Sequence, residues 1–312
     1  MKIRNKVKNP IIKEFLDLNL INKKNFIQFH DKTRDAKIHV LQDAISKVIF
    51  LKDNIINDNH YKFKNNQSIT SFNETSRKKI KNKTYSLIKI NKKKIKSKIL
   101  NDHSRRFKDW KKYIKNKSIL DYGCGTGGFI VKSLKIAKKC SAVELNQKYI
   151  DQLKDKINIK NNIEKFSEKF CTITSCHVFE HLPHQVETIK KLKKKLKPNG
   201  NLIIEVPCAH DFLLKFDQLP EFKDFTMWSE HIILHTEDSL RTVLRKAGFK
   251  TIKIKYFQRY NFANHFGWFK DKKPGGHEIY SKMFSNKINK TYKKFLEDQK
   301  TSDTLIAVAS NR

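Results

Sequence analysis

Eight consecutive residues restrict what this chain can fold into more than any others: Asp121-Tyr122-Gly123-Cys124-Gly125-Thr126-Gly127-Gly128, set between the apolar runs Ile119-Leu120 and Phe129-Ile130-Val131. A glycine turn that leaves a strand and opens a helix lets backbone amides come close to a ligand at a helix N-terminus. Such turns belong to open α/β sheets, whose ligands sit at the carboxyl ends of the strands. The flanking chain agrees with this. Strands are expected near 118–122, 141–145, 157–160, 170–176, 201–206, 251–257 and 304–309, and helices near 127–138, 146–156, 181–196 and 236–247. That alternation predicts an α/β fold with a doubly wound, Rossmann-like parallel sheet of seven strands. Pro198-Asn199-Gly200 is expected to stop one helix and Gly248 to follow the end of another.

Ahead of the loop, Phe107, Trp110, Tyr113 and Ile114 recur at helical spacing. Further upstream, Ile38, Val40, Ile45, Val48, Ile49 and Phe50 suggest two short strands with a turn near Asp43-Ala44. The expected organisation is therefore a small β-containing N-terminal α/β unit over 1–76, a lysine-rich linker or helix over 77–100, and the main domain over 101–312. Between the last two strands lies an insertion over 260–301, far longer than an ordinary hairpin loop.

The net charge of +36 raises the question of nucleic acid. Its distribution argues for another origin. Residues 1–117 hold 32 Lys and Arg against 10 Asp and Glu, and the other 195 residues contribute only +14. Only nine of the 67 basic residues are Arg, the side chain with a planar fork for phosphate, while Lys, Asn and Ile abound throughout. Because these three share A/T-rich codons, genome composition is the favoured reading and a nucleic-acid partner the alternative. The run from Arg77 to Lys98 carries eleven basic and no acidic side chains and reads as a solvated helix or linker. Five cysteines without a C-x-x-C pair fit reduced thiols in a cytoplasmic protein and give no zinc ribbon. No apolar run approaches the roughly 20 residues of a membrane span.

Gly123, Gly125 and Gly128 also spell G-x-G-x-x-G, the pattern of a nicotinamide dinucleotide fold. Asp121 and the additional Gly127 point away from it. A carboxylate at the strand end repels a pyrophosphate but receives a cationic amino group, so the loop favours the sulfonium cofactor S-adenosylmethionine. Glu144, 21 residues after Gly123, stands where a carboxylate accepts hydrogen bonds from ribose hydroxyls. The expected cofactor residues are Asp121, Gly123, Cys124, Gly125, Gly127, Glu144 and Leu145, with Asn161 or Asn162 near the adenine.

Arg105-Arg106-Phe107, Ile119 to Gly125, Ala142-Val143-Glu144-Leu145, His177-Val178-Phe179-Glu180-His181-Leu182 and Leu196-Lys197-Pro198-Asn199-Gly200 together resemble class I S-adenosylmethionine-dependent methyltransferases of the kind met among ubiquinone-biosynthesis enzymes. The resemblance covers about 101–312. Glu205-Val206-Pro207, Gln258-Arg259-Tyr260, Asn264 to Trp268 and Pro274-Gly275-Gly276-His277 are similar to a bacterial subgroup met among surface-polysaccharide and sugar-modifying enzymes. It implies methyl transfer to oxygen or nitrogen of a small acceptor, such as a sugar nucleotide or glycan precursor, with RNA as the alternative. Where the family usually has Phe-Asp at its fourth strand, this chain has Phe170-Cys171.

For methyl transfer, positioning is the larger demand, and a base is needed only for a poorly acidic acceptor. His177 and His181 would share a face at i, i+4 if the chain turned helical after the fourth strand, so His177, Glu180 and His181 are the catalytic candidates. The competing role for Glu180 and His181 is to order the first turn of the next helix. His231, Asn264, His265 and His277 are the candidate substrate contacts. His231 and His235 have no carboxylate or Cys at ligand spacing, so no metal site is expected.

Overall fold

The structure, a computed structural model, describes residues 7–54 and 102–312; the basic run 77–98 lies outside them. The chain opens with β1 (Val7–Lys8), a helix over Pro10–Asp17, β2 (Phe26–His30), β3 (Val40–Asp43), β4 (Ile49–Leu51) and β5 (Asp53–Asn54). Asn9 caps the helix at the amide of Ile11, Pro10 starts its first turn, and Ile11 and Phe15 bury one face four residues apart. The expected turn falls after Asp43, whose carboxylate accepts from the amides of Ile45 and Ser46.

The main domain contributes β6 (Ser118–Tyr122), β7 (Lys139–Val143), β8 (Asn158–Lys160), β9 (Phe170–Cys176), β10 (Leu196–Pro207), β11 (Ile233–Leu234), β12 (Thr251–Phe257) and β13 (Thr304–Ser310). Seven of these form one sheet in the order β12-β13-β10-β9-β6-β7-β8. Leu202, Ile203 and Ile204 are all buried, as strands covered on both faces require. Six strands run parallel, but β13 is antiparallel to both β10 and β12, which corrects the expectation of an all-parallel sheet. After β12 the chain crosses the insertion and re-enters from the same sheet end, so its last strand must run backwards.

Two further boundaries differ from expectation. The helix expected from 181 starts at Gln185, after a single 3-10 turn over Phe179–His181. Pro198-Asn199-Gly200 does not stop that helix, which ends at Lys194; it forms an irregularity inside β10, with Asn199 left-handed at φ 59°. The 260–301 insertion holds three helices, Phe262–Asp271, Gly276–Ile279 and Asn286–Asp298.

β11 is the edge strand of a second, four-stranded antiparallel sheet, β11-β4-β3-β2. Residues 7–54 are fastened to the rest of the structure at further points. Asn9 Nδ2 donates to the carbonyls of Leu51 and Ile232 at 2.8 and 2.9 Å, and the Glu14 carboxylate accepts the amides of Gln185 and Val186 at 3.0 and 2.9 Å, the first turn of the helix Gln185–Lys194. Ile11, Phe15 and Val48 lie in the same apolar cluster as Leu120, Phe179 and Val206. Among the described residues, no helix is long and apolar enough to cross a membrane.

Candidate active site

The glycine loop folds over the carboxyl end of β7, with the amides of Gly123 and Cys124 donating to the Val143 carbonyl at 2.8 and 3.2 Å. Asp121 is 5% exposed, and its Oδ1 accepts from Thr174 Oγ1 at 2.6 Å. Burial pushes its carboxyl up to about 6, against the pull of the Thr174 hydroxyl and Arg106. Glu144 clasps the loop from the other side, its two oxygens accepting the amides of Gly125 at 2.7 Å and of Leu145 and Asn146 at 2.8 and 2.9 Å. Gly123 has φ +75°, and a Cβ there would come within 2.4 Å of the Val178 side chain. At Gly125, with φ +54°, no protein atom lies within 4 Å of where a Cβ would stand. The loop is thus closed toward the sheet and open above Gly125, with a buried carboxylate at its base. This cradle fits a ligand with a cationic amino group, as S-adenosylmethionine has.

Of the other expected cofactor residues, Leu145 is exposed just past β7, and burial drives the Cys124 thiol far above its ordinary value, so it packs as a neutral group. Asn162 caps the 3-10 turn Ile163–Lys165 through the Glu164 amide. Asn161 stands exposed at the end of β8.

Beyond β9 the backbone turns sharply, with His177 left-handed at φ 54°. The chain does not turn helical there, so His177 and His181 do not meet at i, i+4. Instead His177 Nδ1 lies 3.2 Å from Glu180 Oε1, and its Nε2 lies 3.4 Å from Glu205 Oε1. Burial and Arg259 act to lower the His177 pKa, but the hydrogen bonds to Glu180 and Glu205 prevail and raise it. Glu180 is fully buried; burial favours its neutral form, yet His177, His181 and His231 around it hold the carboxyl down at about 2. The His181 Nδ1 lies 2.7 Å from the Glu230 carbonyl, and the His181 and His231 rings are 5.0 Å apart. Burial first, then His181, pushes His231 down to about 3, so its ring is neutral.

His231 is delivered by the N-terminal unit. Asp35 accepts the amide and hydroxyl of Ser229 at 3.0 and 2.5 Å, the Arg34 amide donates to the Met227 carbonyl at 3.0 Å, and the Arg34 guanidinium stands 4.4 Å from the Trp228 ring centre.

Glu205 anchors this side. It is wholly buried, and Arg105 Nη2 donates to its two oxygens at 2.7 and 2.8 Å while Arg106 Nη2 donates at 2.6 Å. Asp102 joins Arg105 at 3.3 Å to Arg259 at 2.5 Å. Asp303, just before β13, accepts from Gln258 and from the amides of Arg259 and Tyr260, which fixes the turn leaving β12. The sequence had not singled out Glu205, Arg259 or Asp303 for a role. One signal was available: a carboxylate inside Ile203-Ile204-Glu205-Val206 has to find buried cations.

In the insertion, His265 is 2% exposed, with Nδ1 2.8 Å from the Tyr292 hydroxyl, Nε2 3.2 Å from Gln258 and its ring stacked on Phe212. Asn264 pairs with His277 at 3.1 Å, and Gly267 and Gly276 cross with no room for a Cβ at either. These residues are tied to one another and to Gln258 just past β12, while Glu180, His181 and His231 cluster together and Val178, next to His177, packs on Gly123 of the glycine loop. His235 is buried against Ser239 at the start of the helix Glu237–Lys246.

A family model described as a methyltransferase domain matches residues 93–254, more than half of the 312-residue chain. Over 114 residues the chain is 29% identical to an uncharacterized methyltransferase of Schizosaccharomyces pombe, a match covering 30% of this chain and 39% of that protein. Over 157 residues it is 24% identical to a tRNA U34 carboxymethyltransferase of Pseudoalteromonas atlantica, covering 45% and 47%. The chain spans less than half the length of these curated relatives. A solved S-adenosylmethionine-dependent methyltransferase from Archaeoglobus fulgidus is 19% identical and superposes with a TM-score of 0.47 over 68% of this chain and 94% of that one.

Proposed function

The chain belongs to this methyltransferase family and uses S-adenosylmethionine as its cofactor, and from that premise we propose that its acceptor is a hydroxyl oxygen of a sugar or related small metabolite. The observation that carries the proposal is the gathering of Glu180, His181 and His231, the first two within three residues of Val178, which packs on the glycine loop at Gly123. An amine with a lone pair needs little help to accept a methyl group. A hydroxyl is poorly acidic and needs an electron-pair donor or a positive centre near its proton.

In this reading Asp121 holds the cofactor's ammonium group, Glu144 its ribose, and Leu145 and Asn161 flank the adenine. The cofactor supplies an electrophilic methyl group on a sulfonium. His177, held between Glu180 and Glu205, positions Glu180. Because a carbonyl can only accept, the His181 ring carries its proton on Nδ1 toward Glu230 and its lone pair on Nε2. That lone pair serves the acceptor hydroxyl, either directly or by holding the positive centre that acidifies it. His277, 23% exposed, remains the insertion residue best disposed to meet a substrate.

Methyl incorporation from labelled cofactor into a panel of hydroxylated and amino acceptors tests the proposal. Turnover on a hydroxylated acceptor that His181→Ala lowers by about 100-fold or more at unchanged cofactor affinity supports it; transfer confined to amines overturns it. The second reading, an RNA acceptor, rests on the likeness to the tRNA U34 carboxymethyltransferase. It requires tRNA binding that persists at moderate salt together with methyl incorporation into the RNA.

A further inference from the structure

We propose that Glu180, His181 and His231 bind a divalent transition-metal ion on the acceptor side of the sheet. One ligand atom from each lies within 4.8 Å of the other two. Two imidazoles and a carboxylate are a donor set that takes Zn²⁺, Fe²⁺ or Mn²⁺ and leaves coordination positions open for a substrate. Sequence spacing does not reveal the set, because His231 follows His181 by 50 residues and comes in on the loop ahead of β11.

Two of the three residues each hold a buried polar atom that no protein group satisfies. Glu180 uses Oε1 toward His177, but its Oε2 is buried with no hydrogen-bond partner, and the Nδ1 of His231 is buried and without one as well. A charged oxygen stranded in this way is costly unless something positive meets it. The third donor, Nε2 of His181, is aimed by the Glu230 carbonyl behind its ring, the kind of outer contact that fixes the tautomer of a ligating histidine. Glu180 is braced in turn by His177 and Glu205, and the His231 loop by Arg34 and Asp35. Metal–ligand bonds of about 2.1 Å set donor atoms roughly 3–3.5 Å from one another, inside the 4.8 Å that encloses these three.

The place of the site gives the ion its use. Val178, two residues before Glu180, touches the glycine loop at Gly123, which puts the carboxylate ligand within one short turn of the cofactor cradle. There it polarises an acceptor hydroxyl, whose proton departs to solvent as the oxygen forms its bond to the methyl carbon and sulfur keeps the electron pair of the bond that breaks. This last step rests on the hydroxyl-acceptor reading above; the metal site itself does not.

Cobalt titration of the full-length protein, stripped by chelator and desalted, tests the site through the visible absorption of bound Co²⁺ and by calorimetry. One ion per chain is expected, with affinity lowered at least tenfold in His231→Ala and in Glu180→Gln and unchanged in His184→Ala, which removes an exposed histidine outside the cluster. Glu180 is buried, so His231→Ala is the deciding variant, with retained S-adenosylhomocysteine binding as proof of its fold. No stoichiometric cobalt binding, or equal binding in His231→Ala, overturns the metal site. Cobalt binding with transfer only to amines keeps the site and overturns the acceptor reading; hydroxyl methylation at full rate by stripped protein that binds no cobalt does the reverse.

Discussion

The cofactor side and the acceptor side of this site are built by different means. Around the cofactor, the backbone does most of the shaping: five successive residues, Gly123 to Gly127, turn between β6 and a helix, and one carboxylate, Glu144, gathers three amides. On the acceptor side, side chains from five separated stretches converge, namely Arg105 and Arg106, His177 to His181, Glu205, His231 and Arg259. The first arrangement is local and follows from short-range stereochemistry. The second depends on the whole fold, including an N-terminal unit whose own sheet ends in β11.

The sharpest way to break the comparison is to remove the hub of the long-range side. Glu205→Ala leaves Arg105 and Arg106 with buried, unbalanced charge, and loss of one member of such a group costs about 3–5 kcal/mol. A drop of about 10 °C in melting temperature is expected. An unchanged melting curve would mean that the network contributes nothing to the fold.

A smaller change addresses the N-terminal unit alone. Asp35→Ala removes both hydrogen bonds to Ser229 and should cost about 2 kcal/mol while loosening the loop that carries His231. Cobalt affinity and turnover should fall, and S-adenosylhomocysteine affinity should stay. If cofactor affinity falls equally, the two sides are not separable in the way described.

The mildest test is pH. The Asp121 carboxyl is raised to about 6, so it is charged above that value and takes up a proton below it. Affinity for a ligand ammonium is therefore full near pH 7.5 and should weaken by about tenfold at pH 5. Asp121→Asn removes this slope; a slope that survives in the variant assigns it to another group.

The same contrast decides what the sequence made legible. The glycine loop, Asp121 and the strand positions could be read because each depends on neighbours a few residues away, as do the capped ends around Thr236 and Gly248. The reversal of β13 could not, since it depends on which sheet end the insertion returns to. The three helices of the 260–301 insertion could not be read either, since their apolar faces meet one another and segments distant in sequence, as Trp268 meets Phe222 and His265 meets Phe212. His231 offered no ligand partner at short spacing, because the N-terminal sheet brings it to Glu180 and His181. The expected i, i+4 pairing of His177 and His181 failed for a local reason: His177 is left-handed, and the turn after it is a single 3-10 turn.

Calorimetric titration of S-adenosylhomocysteine into the full-length protein, Asp121→Ala and His181→Ala tests the division between the two sides most directly. The wild-type chain should bind one equivalent, Asp121→Ala should lose about 2–3 kcal/mol of binding, as expected for a charge-assisted hydrogen bond, and His181→Ala should match the wild type. No binding by the folded wild-type protein, or an equal loss in both variants, would contradict it.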